Sequence, residues 1–170
     1  MPAETPTAIR LTPDDAVRYC AIRAEMLADS PWSYFSSPGD DRAEDPAHVR
    51  ERLASETMAT FATAQGDRLL SVATVLRSER VRNAHRADIV GVYTTPPARR
   101  QGHALSVLRA CIDHAKRWPT IDVIGLSVSD RAPGALAAYE SLGFVRWGTE
   151  PDAMRIGSES ASEHHMLLRF

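Results

Sequence analysis

ADIVGVYTTPPARRQGHALSVLRACIDHA, residues 87–115, decides how the rest of the chain is read. Residues 88–94 are mostly apolar and rich in β-branched side chains, as a buried strand requires. Thr95-Pro96-Pro97 ends that strand, because proline cannot donate to a sheet ladder. Residues 99–104, RRQGHA, form the turn. Leu105, Leu108, Cys111, Ile112 and Ala115 then recur at helical spacing and predict an apolar stripe. A helix start leaves about four backbone N–H groups without intrahelical partners. Together with the positive end of the helix dipole, they attract an anion. Gly102 permits close backbone approach, Ala104 is small, and Arg99 and Arg100 bring permanent positive charge. The stretch predicts a phosphate cradle.

Working downstream, the helix ends near Trp118-Pro119 and residues 123–129 read as another strand. Asp130-Arg131-Ala132-Pro133 starts a helix over 134–142, and Gly143 supplies its left-handed stop. Residues 144–148 and 165–170 read as two closing strands; the polar stretch 149–163 between them shows no clear period. Upstream, TMATFATA (57–64) and LLSVATVL (69–76) are two strands, and the short link Gln65-Gly66-Asp67-Arg68 indicates a hairpin. The basic loop 78–86 has no stacking aromatic beside it and reads as solvated, not as a nucleic-acid patch.

At the start, residues 1–7 read as a frayed tail and 8–11 as a short strand. Thr12 then caps a helix, with Pro13 at its first position and Asp14 and Asp15 at its positive end. Val17, Cys20, Ala24 and Leu27 are its expected buried stripe, and it stops near Ser30-Pro31. An aromatic loop with Trp32, Tyr34 and Phe35 follows, and then an acidic segment with Asp40, Asp41, Glu44 and Asp45. The acidic residues fit either a solvated loop or an attraction for a cationic amine. Asp45-Pro46 resembles a second helix start, with Val49 and Leu53 facing inward. Strands alternating with helices, then a closing strand pair, predict a mixed α/β sheet.

A length of 170 residues suits one domain, and a hydrophobic content of 44% with 25% charged residues is ordinary for a soluble globular protein. The net charge of −2 gives no global attraction to nucleic acid or an anionic membrane. Cys20 and Cys111 lie on apolar stripes, so buried free thiols are expected in place of a disulfide or a metal site. His164-His165 lack a third ligand at metal spacing, so no metal is expected. No apolar run approaches the ~20 residues of a membrane span, and MPAETPTAIR has no hydrophobic signal region; a cytoplasmic location is expected.

Arg99-x-x-Gly102-x-Ala104 fits the Q/R-x-x-G-x-G/A signature of the GNAT acyltransferases. Residues 126–144, LSVSDRAPGALAAYESLGF, resemble the fifth strand and fourth helix of that family, including its Tyr-x-x-x-Gly-Phe ending. The resemblance implies an α/β (α+β) fold. Its mixed, mostly antiparallel sheet would have about seven strands with about four helices, splayed between strands four and five. It implies acetyl-CoA as co-substrate. The pyrophosphate would lie on Arg99, Arg100, Gln101, Gly102, His103 and Ala104, and the pantetheine arm along Val92, Tyr93 and Thr94.

The implied reaction is acetyl transfer to a primary amine by direct attack in a ternary complex. The acceptor would be a small molecule or a peptide. A backbone N–H near Val92 is the candidate oxyanion donor, and Tyr139 matches the family's general acid. A phenol of pKa about 10 stays protonated near neutrality and can give a proton to a departing thiolate of pKa about 8.5. Tyr139 also shares a stripe with Leu136 and Leu142, so a packing role stands beside the catalytic one. Many relatives carry a glutamate on the central strand. Here the nearest carboxylate is Asp88, which either acts as base or merely pairs with Arg86. A water chain, or binding of the free-base amine, could replace a dedicated base. Trp32, Tyr34 and Phe35 either wall the acceptor pocket or plug a surface loop. Where relatives carry an asparagine after the fifth strand, this chain has Asp130-Arg131, and Arg131 becomes a candidate phosphate partner. A non-catalytic acyl-CoA-binding module is the alternative. A nucleotide binder of another fold is disfavoured, because neither G-x-x-x-x-G-K-[ST] nor G-x-G-x-x-G occurs. A homodimer is one open arrangement.

Overall fold

In the computed structural model, which describes residues 5–170, seven strands build one sheet. They are β1 (Ile9–Arg10), β2 (Met58–Gln65), β3 (Arg68–Arg77), β4 (Arg86–Thr94), β5 (Val123–Ser129), β6 (Val145–Ile156) and β7 (Glu159–Arg169). Their spatial order is β1-β2-β3-β4-β5-β7-β6, and only the β4–β5 pairing is parallel. The helices are α1 (Ala16–Asp29), α2 (Pro46–Leu53), α3 (His103–Ala115) and α4 (Pro133–Ser141). The expected mixed, mostly antiparallel α/β architecture is the one observed. None of these helices is long and apolar enough to cross a membrane.

Two apolar clusters flank the sheet. Val107, Leu108, Cys111 and Ala115 of α3 pack with Val75, Ile89, Ile124 and Met166. Tyr19, Ile22 and Met26 of α1 pack with Val49, Ala62, Val72 and Tyr93. Val75 and Val72 point to different clusters because successive strand residues face opposite sides. Each fully buried Val, Leu, Ile or Met side chain is worth about 1.5–3 kcal/mol relative to exposure, so the α3 stripe is a major anchor.

Three expectations needed correction. The α1 stripe is Ala16, Tyr19, Ile22, Met26 and Leu27, whereas Val17 is 61% exposed, Ala24 is exposed and Cys20 is half-buried. Both sets recur at helical spacing, and the set with Tyr19, Ile22 and Met26 wins because it buries more apolar area. The second correction concerns residues 149–163, most of which belong to the long β6–β7 hairpin. Much of β6 is exposed, so its polar residues hid the strand. Third, the tail is held in part. Residues 1–4 lie outside the described residues, but the Ser106 hydroxyl donates to the Pro6 carbonyl at 2.6 Å.

The feature that positions the site is the seam between β4 and β5. It pairs Arg86 with Val123, Ala87 with Ile124 and Asp88 with Gly125, and no later residue of β4 is paired with β5. Gly125 leaves room there for two flexible side chains. A Cβ would stand 2.2 Å from Arg86 Nη2 and 2.5 Å from Asp88 Oδ1, so those side chains fold over the glycine. On its other side, β4 pairs Val90 with Thr74 and then Tyr93 with Val72, so two residues face Ala73 alone. Gly91 in this bulge has φ +60°, a left-handed conformation that glycine adopts without a Cβ penalty. The bulge bends β4, and the strands splay beyond it as expected.

Candidate functional site

The turn before α3 follows from its residue types. A short 3₁₀ turn over Pro96–Ala98 ends the extended chain. Arg100 then has φ +63° and Gly102, the N-cap of α3, has φ +86°. Left-handed residues interleaved with others turn successive N–H groups into one concavity, which suits an anion. The Gly102 carbonyl accepts from the Ser106 N–H at 3.0 Å, so the helix begins at this point with its positive end in the turn. The Gln101 amide donates to the Pro97 carbonyl at 2.7 Å and braces the turn from outside.

A cavity of about 610 Å³ opens from this turn into the splayed seam. Val92, Tyr93 and Thr94 form one wall, and Ala135, Ala138 and Tyr139 of α4 form another. Arg99, Arg100, Gly102, His103, Ala104 and Arg131 also line it, while no carboxylate among the described residues does. Arg99 and Arg131 are ion-paired with Asp29 and Glu159, so Arg100 is the guanidinium without an ion-pair partner among the described residues, and the cradle suits a diphosphate. Gly102 contributes its conformation, since a Cβ there would meet Pro6 Cδ at 3.5 Å, an ordinary contact.

The arginines differ in freedom. Arg99 is ion-paired with Asp29, and its Nε donates to the Thr94 carbonyl at 3.1 Å. Burial would raise the Asp29 pKa, but hydrogen bonds from Ser30 and Arg99 outweigh it and hold the carboxyl below its usual range. Arg99 thus fixes the turn to α1 and to the end of β4. Arg131 stacks over Trp32 at 3.9 Å, bonds Glu159 at 2.8 Å and donates to the Ser160 carbonyl at 3.0 Å. It straps the β5–α4 connection to the aromatic loop and to the start of β7. His103 Nδ1 lies 2.8 Å from the Thr63 hydroxyl, and burial lowers its pKa, so its imidazole is neutral near pH 7. Arg100 is exposed and in no ion pair among the described residues.

A second cavity, of about 360 Å³, lies along the same seam. Tyr19, Arg23, Phe35, Arg52, Ser129 and Glu163 are among its lining residues. The two cavities share Ser33, Tyr34, Val92, Ala132, Ala135 and Tyr139. At that junction the Tyr34 hydroxyl donates to the Val92 carbonyl at 2.6 Å, and the Arg23 guanidinium lies 5.3 Å from its ring. Burial raises the Tyr34 pKa, with Tyr139 adding to the effect. Tyr139 is 5% exposed and its ring meets Phe144 at 6.1 Å, so the packing role is real. Tyr139 lines both cavities, and its hydroxyl makes no hydrogen bond among the described residues. Burial pushes its pKa up, which keeps the phenol protonated.

Most of the expected site residues are therefore brought together, and some are not. Tyr34 and Phe35 line the second cavity, while Trp32 lines neither and serves instead as the platform for Arg131. Gln101 braces the cradle without lining it. Asp88 sits at the zipped end of β4, 3.3 Å from Arg86 and outside both cavities, which favours its pairing with Arg86 over a role as base. Among the described residues the only carboxylate lining either cavity is Glu163, which sequence reasoning missed. It lies in the stretch that showed no period, and the signal was its register opposite Ser129 across β5–β7. The hairpin also brings Glu150 and Glu163 to His165, with donor atoms within 4.8 Å of one another, companions that sequence spacing did not suggest.

The family model described as the acetyltransferase (GNAT) family matches residues 24–144. Among curated proteins, none matches this sequence. Solved structures share the fold at low identity. A GCN5-related N-acetyltransferase from Kribbella flavida is 19% identical, with a TM-score of 0.81 over 98% of each chain. A Salmonella typhimurium protein solved with its cofactor acetyl-CoA is 15% identical, with a TM-score of 0.79 over 98% of this chain and 94% of its own. A spermidine N-acetyltransferase from Vibrio cholerae, solved with CoA and spermine, is 16% identical, with a TM-score of 0.78 over 97% of this chain and 95% of its own.

Proposed function

This chain belongs to the GNAT acetyltransferase family, and from that premise we propose that it moves an acetyl group from acetyl-CoA to a primary amine, with both substrates bound together. The observation that carries the reading is the meeting of two cavities at Tyr34, Val92 and Tyr139. One cavity holds the cationic cradle at the turn and the other extends away from it, as a two-substrate transfer requires. Main-chain amides around Gly102 and the guanidinium of Arg100 would hold the diphosphate. The free edge of β4 at Val92, Tyr93 and Thr94 would hold the pantetheine arm. Acetyl-CoA supplies the activated acyl group as a thioester.

The chain's own residues then have distinct tasks. Tyr34 pins the Val92 carbonyl, which fixes the backbone where the two cavities join. The bulge at Gly91 aims that backbone into the gap. Tyr139 keeps a proton on Oη where a departing thiolate needs one, and burial ensures that the proton stays there. A non-catalytic acyl-CoA-binding module is the second reading, favoured by the position of Asp88 outside both cavities.

CoA release, followed with a thiol reagent over a panel of amines, separates the two. Turnover is expected with at least one amine, and Tyr139→Phe is expected to lower kcat about 100-fold with the fold intact. Acetyl-CoA binding without turnover of any amine would favour the second reading. Unchanged turnover in Tyr139→Phe would remove the acid role.

A further inference from the structure

We infer that the acceptor carries a carboxylate as well as its amine, and that Arg52 is the residue that recognises it. The inference rests on the acetyl-transfer reading above. It starts from the charges that line the second cavity, which are Arg23, Arg52 and Glu163.

Arg23 is already satisfied. Its guanidinium bonds Asp41, with side chains only 14% and 6% exposed. Burial alone would raise the Asp41 pKa, but the Arg23 bond and the Ala43 N–H outweigh it and keep the carboxylate charged. Arg52, on the last turn of α2, is half-buried and has no such partner. Among the described residues its only side-chain contact of polar character is Met58 Sδ at 3.7 Å, and no carboxylate stands within 4.0 Å of it. A partly desolvated cation without a counter-ion is costly unless a ligand supplies one. The guanidinium fork matches a carboxylate with two parallel hydrogen bonds.

Glu163 is the complementary charge. Glu150 and His165 in the β6–β7 hairpin lie within 4.8 Å of it, and it is in no ion pair within 4.0 Å among the described residues. One unpaired cation and one unpaired anion in a cavity of about 360 Å³ suit a small zwitterion, an α-amino acid or a close analogue. A polyamine would meet the uncompensated charge of Arg52 as well as Glu163. A plain alkyl amine would leave Arg52 uncompensated.

The experiment compares matched acceptors in the CoA-release assay: common L-amino acids, their amides and the corresponding decarboxylated amines. For the best acceptor, kcat/KM is expected to exceed that of its amide and its decarboxylated amine by about 10- to 100-fold, the range of a charge-assisted pair. Arg52→Met is expected to close that gap and Arg52→Lys to keep part of it, a pattern a merely structural arginine would not produce. Melting curves of both variants report whether the fold survives. Equal turnover of acids, amides and amines by the wild type would overturn the inference, as would a full gap in Arg52→Met. If no amine is acetylated, the same compounds are titrated into the CoA-loaded protein by calorimetry. Selective binding of the acids, lost in Arg52→Met, would then support the inference while the transfer reading falls. Absent or unselective binding would overturn it.

Discussion

Tyr139 packs its ring against Phe144 and lines both cavities. Burial raises its pKa above the ordinary phenol value. The acid form is therefore retained, and the pH–rate profile should show no descending limb from this group below about pH 10. A limb that vanished in Tyr139→Phe within that range would contradict the assignment. Tyr34 offers a second test, because its phenol holds the Val92 carbonyl at 2.6 Å. Tyr34→Phe removes that bond and should cost about 1–3 kcal/mol, read from urea unfolding, with a higher KM for acetyl-CoA. Both tyrosines could be picked out beforehand because an aromatic in a local motif carries its own mark. Arg131 could not. Its partners Trp32, Glu159 and Ser160 lie far away in the chain, and nothing in the pattern around Arg131 refers to them.

α3 joins the cradle at its start to the core along its length. Gly102 at φ +86° tolerates no side chain without strain, so Gly102→Ala should cost about 1–2 kcal/mol and raise the KM for acetyl-CoA. Thermal unfolding and a CoA titration check the two effects separately. The same helix makes the protein acid-sensitive. Burial lowers the pKa of His103, and burial with Arg10 and Arg117 lowers that of His114, whose ring meets Trp118 at 4.9 Å. A histidine with a native pKa below its unfolded value binds fewer protons when folded. Its contribution is fully present above about pH 6.5 and is lost as pH falls towards the depressed native value. The urea midpoint should fall as pH drops from about 7 to 5, and His114→Phe, which keeps an aromatic ring beside Trp118, should flatten that slope. An equally steep variant would refute the assignment to His114. At this scale the strand and helix order was legible from periodicity, yet the face of α1 was not. Two frames of equal spacing differ only in how much apolar area they bury, and that depends on what the sheet presents to them.

For the molecule as a whole, acetyl-CoA should act as a wedge that stabilises what it opens. A ligand at 100 times its Kd adds about 2.7 kcal/mol, so CoA should raise Tm in a concentration-dependent way. Amide exchange should slow at Val92, Tyr93 and Thr94, where the free edge of β4 lines the larger cavity. Unchanged exchange there, with Tm raised, would put the ligand elsewhere. The seam itself rests on a left-handed glycine and on a parallel ladder that stops at Asp88 and Gly125. Both are properties of the main chain, so the aperture is set chiefly by Gly91 and by the point where the parallel ladder stops. Lineages that keep Gly91 and Gly125 can therefore exchange Arg52, Glu163 or Phe35 and acquire a new diet while inheriting the same mouth.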